Sequence, residues 1–148
     1  MEVKELGHIV LYVRDLEASR RFYRDVLRWK EIAGTDHQMA MYSSGRTHHE
    51  LLLIEVGPHA APIPEGRRVG MYHFGLKVGT TDDELREAHQ ALVSAGANVV
   101  GTADHGVTHS LYITDPDRNE IELYIDVQPE VWREDPKAVL SPVRALRL

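Results

Sequence analysis

Two segments of the chain carry the same alternation of apolar and polar positions. GHIVLYV (7–13) and YHFGLKV (72–78) share the pattern x-H-x-x-L-x-V, which places His8 over His73. Alternation with a period of two residues is typical of a strand with one buried face. The pattern therefore predicts an internal repeat in which each half begins with a strand that carries a histidine.

A helix pattern follows each of these strands. After the first strand, Asp15 is a good N-cap for a segment whose apolar residues recur on one helical face. After the second strand, Thr81 and Glu84 have the spacing of a capping box, and Gly96 ends the helix. Each half therefore continues from its first strand into one helix.

Three short strands are predicted after each helix. They cover 30–34, 37–43 and 50–56 in the first half, and 97–101, 110–114 and 120–125 in the second. The turn DPDRN (115–119) separates the last two strands and has the Pro and Asx residues of a hairpin turn. Each half therefore reads βαβββ.

The predicted fold class is α+β, with two βαβββ modules in one domain whose mixed sheets curve into a cup. The predicted single domain spans 1–148. Its parts are module 1 at about 5–57, a Pro- and Gly-rich linker at 58–70, module 2 at about 71–126 and a C-terminal tail at 127–148. The tail has three prolines and little periodicity.

Composition narrows the function classes. Of the 148 residues, 43% are hydrophobic and 27% are charged, as in an ordinary globular domain. The formal charge of −6, without a basic cluster, argues against nucleic acid or an anionic membrane as partner. There is no cysteine, which excludes disulfides, thiolate metal ligands and a cysteine nucleophile. No apolar run reaches the roughly 20 residues of a membrane helix, and the start has no signal-peptide pattern, so a cytoplasmic protein is expected.

The nine histidines are the unusual feature of the composition, because histidine is the commonest metal ligand and general base. His8 and His73 occupy equivalent strand positions. Glu122 lies between Ile121 and Leu123 in a strand expected at a sheet centre, where a carboxylate needs a cation. Two imidazoles and one carboxylate match the facial triad of non-haem Fe(II), which leaves coordination positions open. The alternative is that each of the three is an ordinary half-buried side chain without a metal.

Residues 5–126 resemble the vicinal oxygen chelate superfamily, the fold of glyoxalase and bleomycin resistance proteins, in which paired βαβββ modules close around a metal. SGRTHHELLL (44–53) resembles the R-H-H element of extradiol ring-cleaving dioxygenases, with Thr47 inserted. ADHGVTHSLYITDPDRNEIELYID (103–126) resembles the D-H-x-V…LY-x-x-DPDGN-x-IELY segment of catechol-2,3-dioxygenase-like proteins. MYHFGLKV (71–78) resembles the middle metal-binding strand of those proteins.

The resemblance implies an Fe(II)-dependent extradiol dioxygenase of aromatic catabolism, which cleaves a catechol-type ring with O2. It places the iron, or Mn(II) as the alternative metal, in the cup on His8, His73 and Glu122. The implied partners are a catecholic small molecule and O2, without nucleic acid or membrane. A homodimer is expected because exposed sheet edges need cover. Whether the catechol has one ring or two stays open.

The resemblance also assigns residues around the metal. His49 is the acid/base histidine, with His48 as the alternative, and on a regular strand the two would point to opposite sides. His105 is the partner of a substrate hydroxyl, and Tyr112 is a hydrogen-bonding residue. Arg118 departs from the family pattern, because Gly usually occupies this turn position and often has a positive φ.

Two other functions fit the same fold. A glyoxalase I-like lyase or isomerase needs a fourth protein ligand. LIEV (53–56) resembles EIEL (120–123), and this match makes Glu55 the counterpart of Glu122. A four-ligand site of this kind favours Ni or Zn. His105 and Tyr112 favour the dioxygenase, because glyoxalase I does not need either residue. The other rival is a metal-free module that binds an antibiotic or has a structural role, and the intact ligand set counts against it.

Overall fold

Each half of the chain forms a four-stranded mixed sheet with one helix packed against it in the computed structural model, which describes residues 1–148. The chain divides into two compact units, Met1–Ile63 and Pro64–Leu148, and the division falls inside the predicted linker at 58–70. The α+β class and the two βαβββ modules are therefore confirmed. The assignment of both units to one domain stays a prediction.

The first unit contains four strands and one α-helix. Their bounds are β1 Ile9–Val13, α1 Leu16–Arg20, β2 Glu31–Gly34, β3 Met39–Tyr42 and β4 Leu51–Glu55. A π-helical stretch, Arg21–Val26, continues α1. The strand order is β1-β4-β3-β2, in which β1 pairs with β4 in parallel and the other pairs are antiparallel.

The second unit repeats this arrangement and extends it. Its elements are β5 His73–Gly79, α2 Asp82–Ser94, β6 Asn98–Asp104, β7 Thr108–Thr114, β8 Glu120–Asp126 and α3 Pro129–Glu134. The strand order is β5-β8-β7-β6, with β5 and β8 parallel. The strand that carries Glu122 therefore lies between two others, as the sequence predicts. None of the helices in either unit is long and apolar enough to cross a membrane.

The predicted helix signals have the expected geometry. The Asp15 side chain accepts a hydrogen bond from the Ala18 N–H at 2.9 Å. Thr81 and Glu84 form the complete capping box of α2. Gly96 has a φ of 71°, and the backbone N–H groups of Gly96 and Ala97 turn back to the last carbonyls of α2, which ends the helix.

One face of each sheet is apolar and packs against the helix side. On β8, Ile121, Leu123 and Ile125 are at most 2% exposed, whereas Glu122 and Tyr124 between them are partly exposed on the other face. Burial of an aliphatic side chain contributes about 1.5–3 kcal/mol, so this alternation fixes the register of the strand. The carboxylate of Glu122 is thereby held on the face away from the core.

The turn between β7 and β8 contains the departure noted at Arg118, whose φ is 72°. A non-glycine residue in this region costs about 1–2 kcal/mol. The Asp115 side chain accepts hydrogen bonds from the N–H groups of Asp117 at 2.9 Å and Asn119 at 2.7 Å. These bonds stabilise the turn in which Arg118 has its positive φ.

The tail is more regular than its sequence pattern predicts. It forms α3 and then a 3-10 helix, Pro136–Leu140. Arg144 then pairs with Asp104 at the end of β6 through two backbone hydrogen bonds of 3.0 and 2.8 Å. The sequence pattern did not predict these short helices, because both are marked by a proline at the start rather than by an apolar stripe.

Candidate active site

The two predicted ligands of the second unit, His73 and Glu122, lie together on the partly exposed face of its sheet. The Nε2 atom of His73 is 3.3 Å from the Oε2 atom of Glu122. Gly75 lies directly opposite Glu122 on the neighbouring strand. A Cβ atom at Gly75 would be 3.7 Å from Glu122 Oε2 and 3.3 Å from the Tyr124 ring, so glycine keeps the space beside the carboxylate open.

The second nitrogen of His73 faces another carboxylate. Its Nδ1 atom is 3.7 Å from Oε1 of Glu120, beyond hydrogen-bond distance, and is buried without a hydrogen-bond partner. Metal-bound histidines commonly direct their second nitrogen to a carboxylate, which fixes the ring orientation. The nitrogen and oxygen donors of His73 and Glu122, together with the nearby Glu120, therefore have the chemistry of one side of a metal site.

A short hydrogen-bond chain leads away from Glu122. Its Oε1 atom accepts hydrogen bonds from the Ser110 hydroxyl at 2.6 Å and the Tyr112 hydroxyl at 3.1 Å. The Nε2 atom of His105 is 2.8 Å from the Tyr112 hydroxyl. Burial, and then the negative charge of Glu122, raise the pKa of Tyr112, so the phenol keeps its proton as a donor. The structure thus brings His105, Tyr112 and Glu122 together, and adds Ser110 to them.

The turn that carries His105 is held by the tail. Asp104, just before it, makes the backbone pair with Arg144. Gly106, just after it, has a φ of 81°, and a Cβ atom there would lie 2.9 Å from Cβ of Ser141. Both sides of His105 are therefore fixed by residues 141–144.

Three of the histidines in the first unit, His8, His48 and His49, form a cluster of tilted rings. The His8 and His49 ring centroids are 4.4 Å apart, as are those of His48 and His49. The Nδ1 atoms of His48 and His49 are 2.6 Å apart, a hydrogen bond. The expectation that His48 and His49 point to opposite sides is wrong, because β4 begins only at Leu51 and both histidines lie in the preceding loop.

His49 has the more enclosed imidazole of the adjacent pair. Its Nε2 atom is buried without a hydrogen-bond partner, whereas His48 is exposed. Burial, and then the charges of His48 and His8, lower the pKa of His49. His49 is therefore neutral at neutral pH, with one nitrogen free to take a proton.

The expectation that Glu55 is the counterpart of Glu122 is wrong. In the first sheet Ile9 pairs with Leu51, and in the second the equivalent residue, Phe74, pairs with Ile121. Counting along the strand from these pairs places Leu52 at the position of Glu122. The letter match between LIEV and EIEL is thus displaced by three residues, because strand pairing sets the register.

The carboxylate of Glu55 has a different partner. It lies on the face of β4 that carries Leu51 and Leu53, and its Oε2 atom accepts a hydrogen bond from the Leu16 N–H at 2.8 Å. It satisfies an otherwise free N–H group in the first turn of α1. The structure therefore assigns Glu55 a helix-capping role and contradicts its use as a fourth metal ligand.

Replacing Glu55 with Gln should leave the metal content of the purified protein unchanged. The amide oxygen keeps an acceptor for Leu16 but loses its charge at the helix N-terminus, so the free energy of unfolding should fall by about 0.3–1 kcal/mol. Metal analysis and a urea titration measure the two effects. Glu17→Gln, which removes the charge of a carboxylate in the first turn of α1, is the control. Loss of metal in Glu55→Gln without a comparable loss in Glu17→Gln would restore the four-ligand interpretation.

The structure gathers no three His, Cys, Asp or Glu side chains into a group that could hold a metal ion. His73 lies beside Glu122 in the second unit, and His8 lies beside His49 in the first. Ser110 was missed from the sequence. Its spacing of two residues from Tyr112 placed it on the same strand face, and that signal was present.

Comparison with known protein families gives a match over residues 5–123, to the family described as Glyoxalase/Bleomycin resistance protein/Dioxygenase superfamily. Catechol-2,3-dioxygenase of Bacillus subtilis is 34% identical over 134 residues, which cover 90% of this chain and 46% of that protein. Biphenyl-2,3-diol 1,2-dioxygenase 2 of Rhodococcus globerulus is 32% identical over 122 residues, which cover 82% and 63% of the two chains. The chain thus spans about half to two thirds of these relatives.

Solved structures share the fold over nearly their whole length. A glyoxalase/dioxygenase from Nostoc punctiforme superposes with a TM-score of 0.72 at 20% identity, covering 84% of this chain and 92% of that one. Lactoylglutathione lyase from Agrobacterium tumefaciens superposes with a TM-score of 0.65 at 26% identity, covering 88% and 98%. The first similarity concerns the fold alone.

Proposed function

The chain belongs to the glyoxalase/bleomycin resistance protein/dioxygenase superfamily, and from this membership we propose that it is an Fe(II)-dependent extradiol dioxygenase that cleaves a catechol-type ring with O2. Two relatives above 30% identity carry the names catechol-2,3-dioxygenase and biphenyl-2,3-diol 1,2-dioxygenase. Because the chain spans only part of those proteins, their activity is applied here as a proposal.

One observation carries the proposal: a histidine nitrogen and a carboxylate oxygen 3.3 Å apart, with a tyrosine and a second histidine bonded in line behind them. An ordinary ion pair does not need the Tyr112 and His105 chain, whereas a catechol hydroxyl needs donors and acceptors beside the metal. The proposed ligand set is His73 and Glu122 from the second unit and His8 from the first. Mn(II) suits the same donors.

Iron held by these residues would supply a Lewis-acidic and redox-active centre for the catechol and O2. Around it, the neutral His49 accepts a proton from a catechol hydroxyl and returns it as the ring opens. The Tyr112 hydroxyl retains its proton, which it donates to Glu122 in the structure, and would redirect this hydrogen bond to the substrate oxygen on which charge develops. His105, bonded to Tyr112, is the partner of a substrate hydroxyl.

The proposal is tested by adding a panel of one-ring and two-ring catechols to protein loaded with Fe(II) without oxygen, and then admitting air. A yellow ring-cleavage product should form, with one O2 consumed per molecule of substrate. The expected product of catechol itself is a muconic semialdehyde that contains both oxygen atoms of O2. Absence of O2 uptake with every catechol, in protein that has bound iron, would contradict the proposal.

A lyase of the glyoxalase type is the second candidate, and the likeness to lactoylglutathione lyase at 26% identity favours it. The hydrogen bond from the Leu16 N–H of α1 to the Glu55 carboxylate counts against it, as does the strand register, which leaves no counterpart of Glu122 in the first sheet. A metal-free antibiotic-binding module is distinguished by failure to bind iron. The homodimer, the cytoplasmic location and the role in aromatic catabolism belong to the dioxygenase proposal.

A further inference from the structure

The two carboxylate oxygens of Glu122 have different surroundings. Oε1 accepts hydrogen bonds from two hydroxyls, Ser110 at 2.6 Å and Tyr112 at 3.1 Å. Oε2 faces the Nε2 atom of His73 at 3.3 Å. One oxygen is therefore occupied by protein donors, and the other is directed toward the second proposed ligand.

We propose that Ser110 is a positioning residue that holds Glu122 as a metal ligand through one oxygen only, and thereby keeps a coordination position open for O2. The inference rests on the proposed iron site. It concerns Ser110 of β7, which is not one of the proposed ligands. Its hydroxyl donates to Glu122 and not to His73.

The placement of Ser110 suits this role. The residue has no solvent exposure, and its hydroxyl makes the shorter of the two bonds to Oε1. On the paired strands, Tyr112 lies directly opposite Glu122 and Ser110 lies opposite Tyr124, so the two hydroxyls approach the carboxylate from adjacent positions on one face. A hydrogen bond from a hydroxyl to a charged carboxylate is stronger than a hydrogen bond between two neutral groups.

The number of coordination positions on the metal decides whether O2 can bind beside a catechol. A facial triad occupies three positions of an octahedron and leaves three, which the two oxygens of a catechol and one O2 fill. If Glu122 bound through both oxygens, it would take a fourth position, and a bound catechol would then leave no position for O2. Two hydrogen bonds on Oε1 oppose that rearrangement.

The test compares Ser110→Ala with wild type in two measurements that do not depend on turnover. The first is an anaerobic titration with Fe(II). The second is the binding of nitric oxide, as a stand-in for O2, to the iron protein saturated with catechol, followed by electron paramagnetic resonance. Loss of one outer hydrogen bond to a ligand commonly lowers metal affinity 10–100-fold, so a fall of roughly that size is expected, with nitric oxide affinity at least about tenfold weaker.

Three further variants make the result interpretable. Ser110→Thr retains the hydroxyl and should recover both affinities. Tyr112→Phe removes the other donor and should show the same two losses, which keeps the inference testable if Ser110→Ala is unstable. Ser19→Ala removes a fully buried serine whose hydroxyl has no hydrogen-bond partner and should change neither affinity.

Wild type that binds Fe(II), with Ser110→Ala and Tyr112→Phe indistinguishable from it in both measurements, would overturn this inference and leave the proposed function standing. Wild type that binds no Fe(II) would overturn both. Equal losses in Ser110→Ala and Ser19→Ala would show a general effect of cavity formation and would likewise reject the positioning role.

Discussion

Replacing His49 with Gln should lower catechol turnover by roughly 10²–10⁴-fold, the usual contribution of a general acid/base, while iron content stays at the wild-type level. The physical reason is the enclosed Nε2 atom, which is buried without a partner. Burial lowers the pKa of this imidazole, so the neutral form that accepts a proton prevails at neutral pH. Glutamine keeps the approximate size and polarity of the side chain but can neither accept nor release the proton.

His48→Gln is the matched control for this prediction. His48 is exposed and bonded to His49 through Nδ1, so its loss should lower turnover much less than the loss of His49. Steady-state O2 uptake at saturating catechol measures both variants, and metal analysis shows that both are loaded. The reverse order, with His48→Gln the more damaging, would move the acid/base role to His48.

Replacing Arg20 with Met should lower the free energy of unfolding by about 3–5 kcal/mol, the cost of breaking a buried ion pair from one side. Arg20 is 8% exposed and donates to Glu31 at 3.1 Å, to Glu17 at 2.6 Å and to the Thr35 carbonyl at 2.8 Å. These bonds tie α1 to β2 and to the turn that follows it. Methionine fills a similar volume but leaves the Glu31 carboxylate and the carbonyl without their donor.

Arg24→Met provides the comparison, because Arg24 is exposed and pairs mainly with its neighbour Asp25. Exposed pairs of this kind contribute less than about 1 kcal/mol. Urea titrations followed by circular dichroism measure both variants. A loss in Arg20→Met as small as that in Arg24→Met would mean that the buried network contributes no more than a surface pair.

The order of elements could be predicted because local signals and global fold agree. The Asp15 cap, the Thr81–Glu84 capping box and the repeated strand pattern each depend on a few neighbouring residues, and each has the predicted form. Strand ends were less exact. The predicted strand at 50–56 is shorter in the structure, Leu51–Glu55, and the one at 97–101 is longer, Asn98–Asp104, because pairing with the next strand determines where a strand ends.

Candidate site residues could be named from the sequence where their chemistry departs from the surrounding pattern. Glu122 stood out because a charge interrupts an apolar strand, and the structure gives it three polar neighbours. Glu55 was misassigned because matching letters carry no information on strand register. Ser110 was overlooked because a serine in a strand has no distinctive chemistry. Its spacing from Tyr112 indicates a shared strand face, but only the structure shows its hydrogen bond to Glu122.

The central proposal is that His8, His73 and Glu122 hold one divalent metal ion. The most direct measurement is an anaerobic Fe(II) titration of wild type and of three variants, His8→Ala, His73→Ala and Glu122→Ala, with His89→Ala in α2 as control. The account predicts one Fe(II) per chain in wild type and in the control, and an affinity at least about 100-fold weaker in each of the three variants. Wild-type affinity in any one of the three would contradict it.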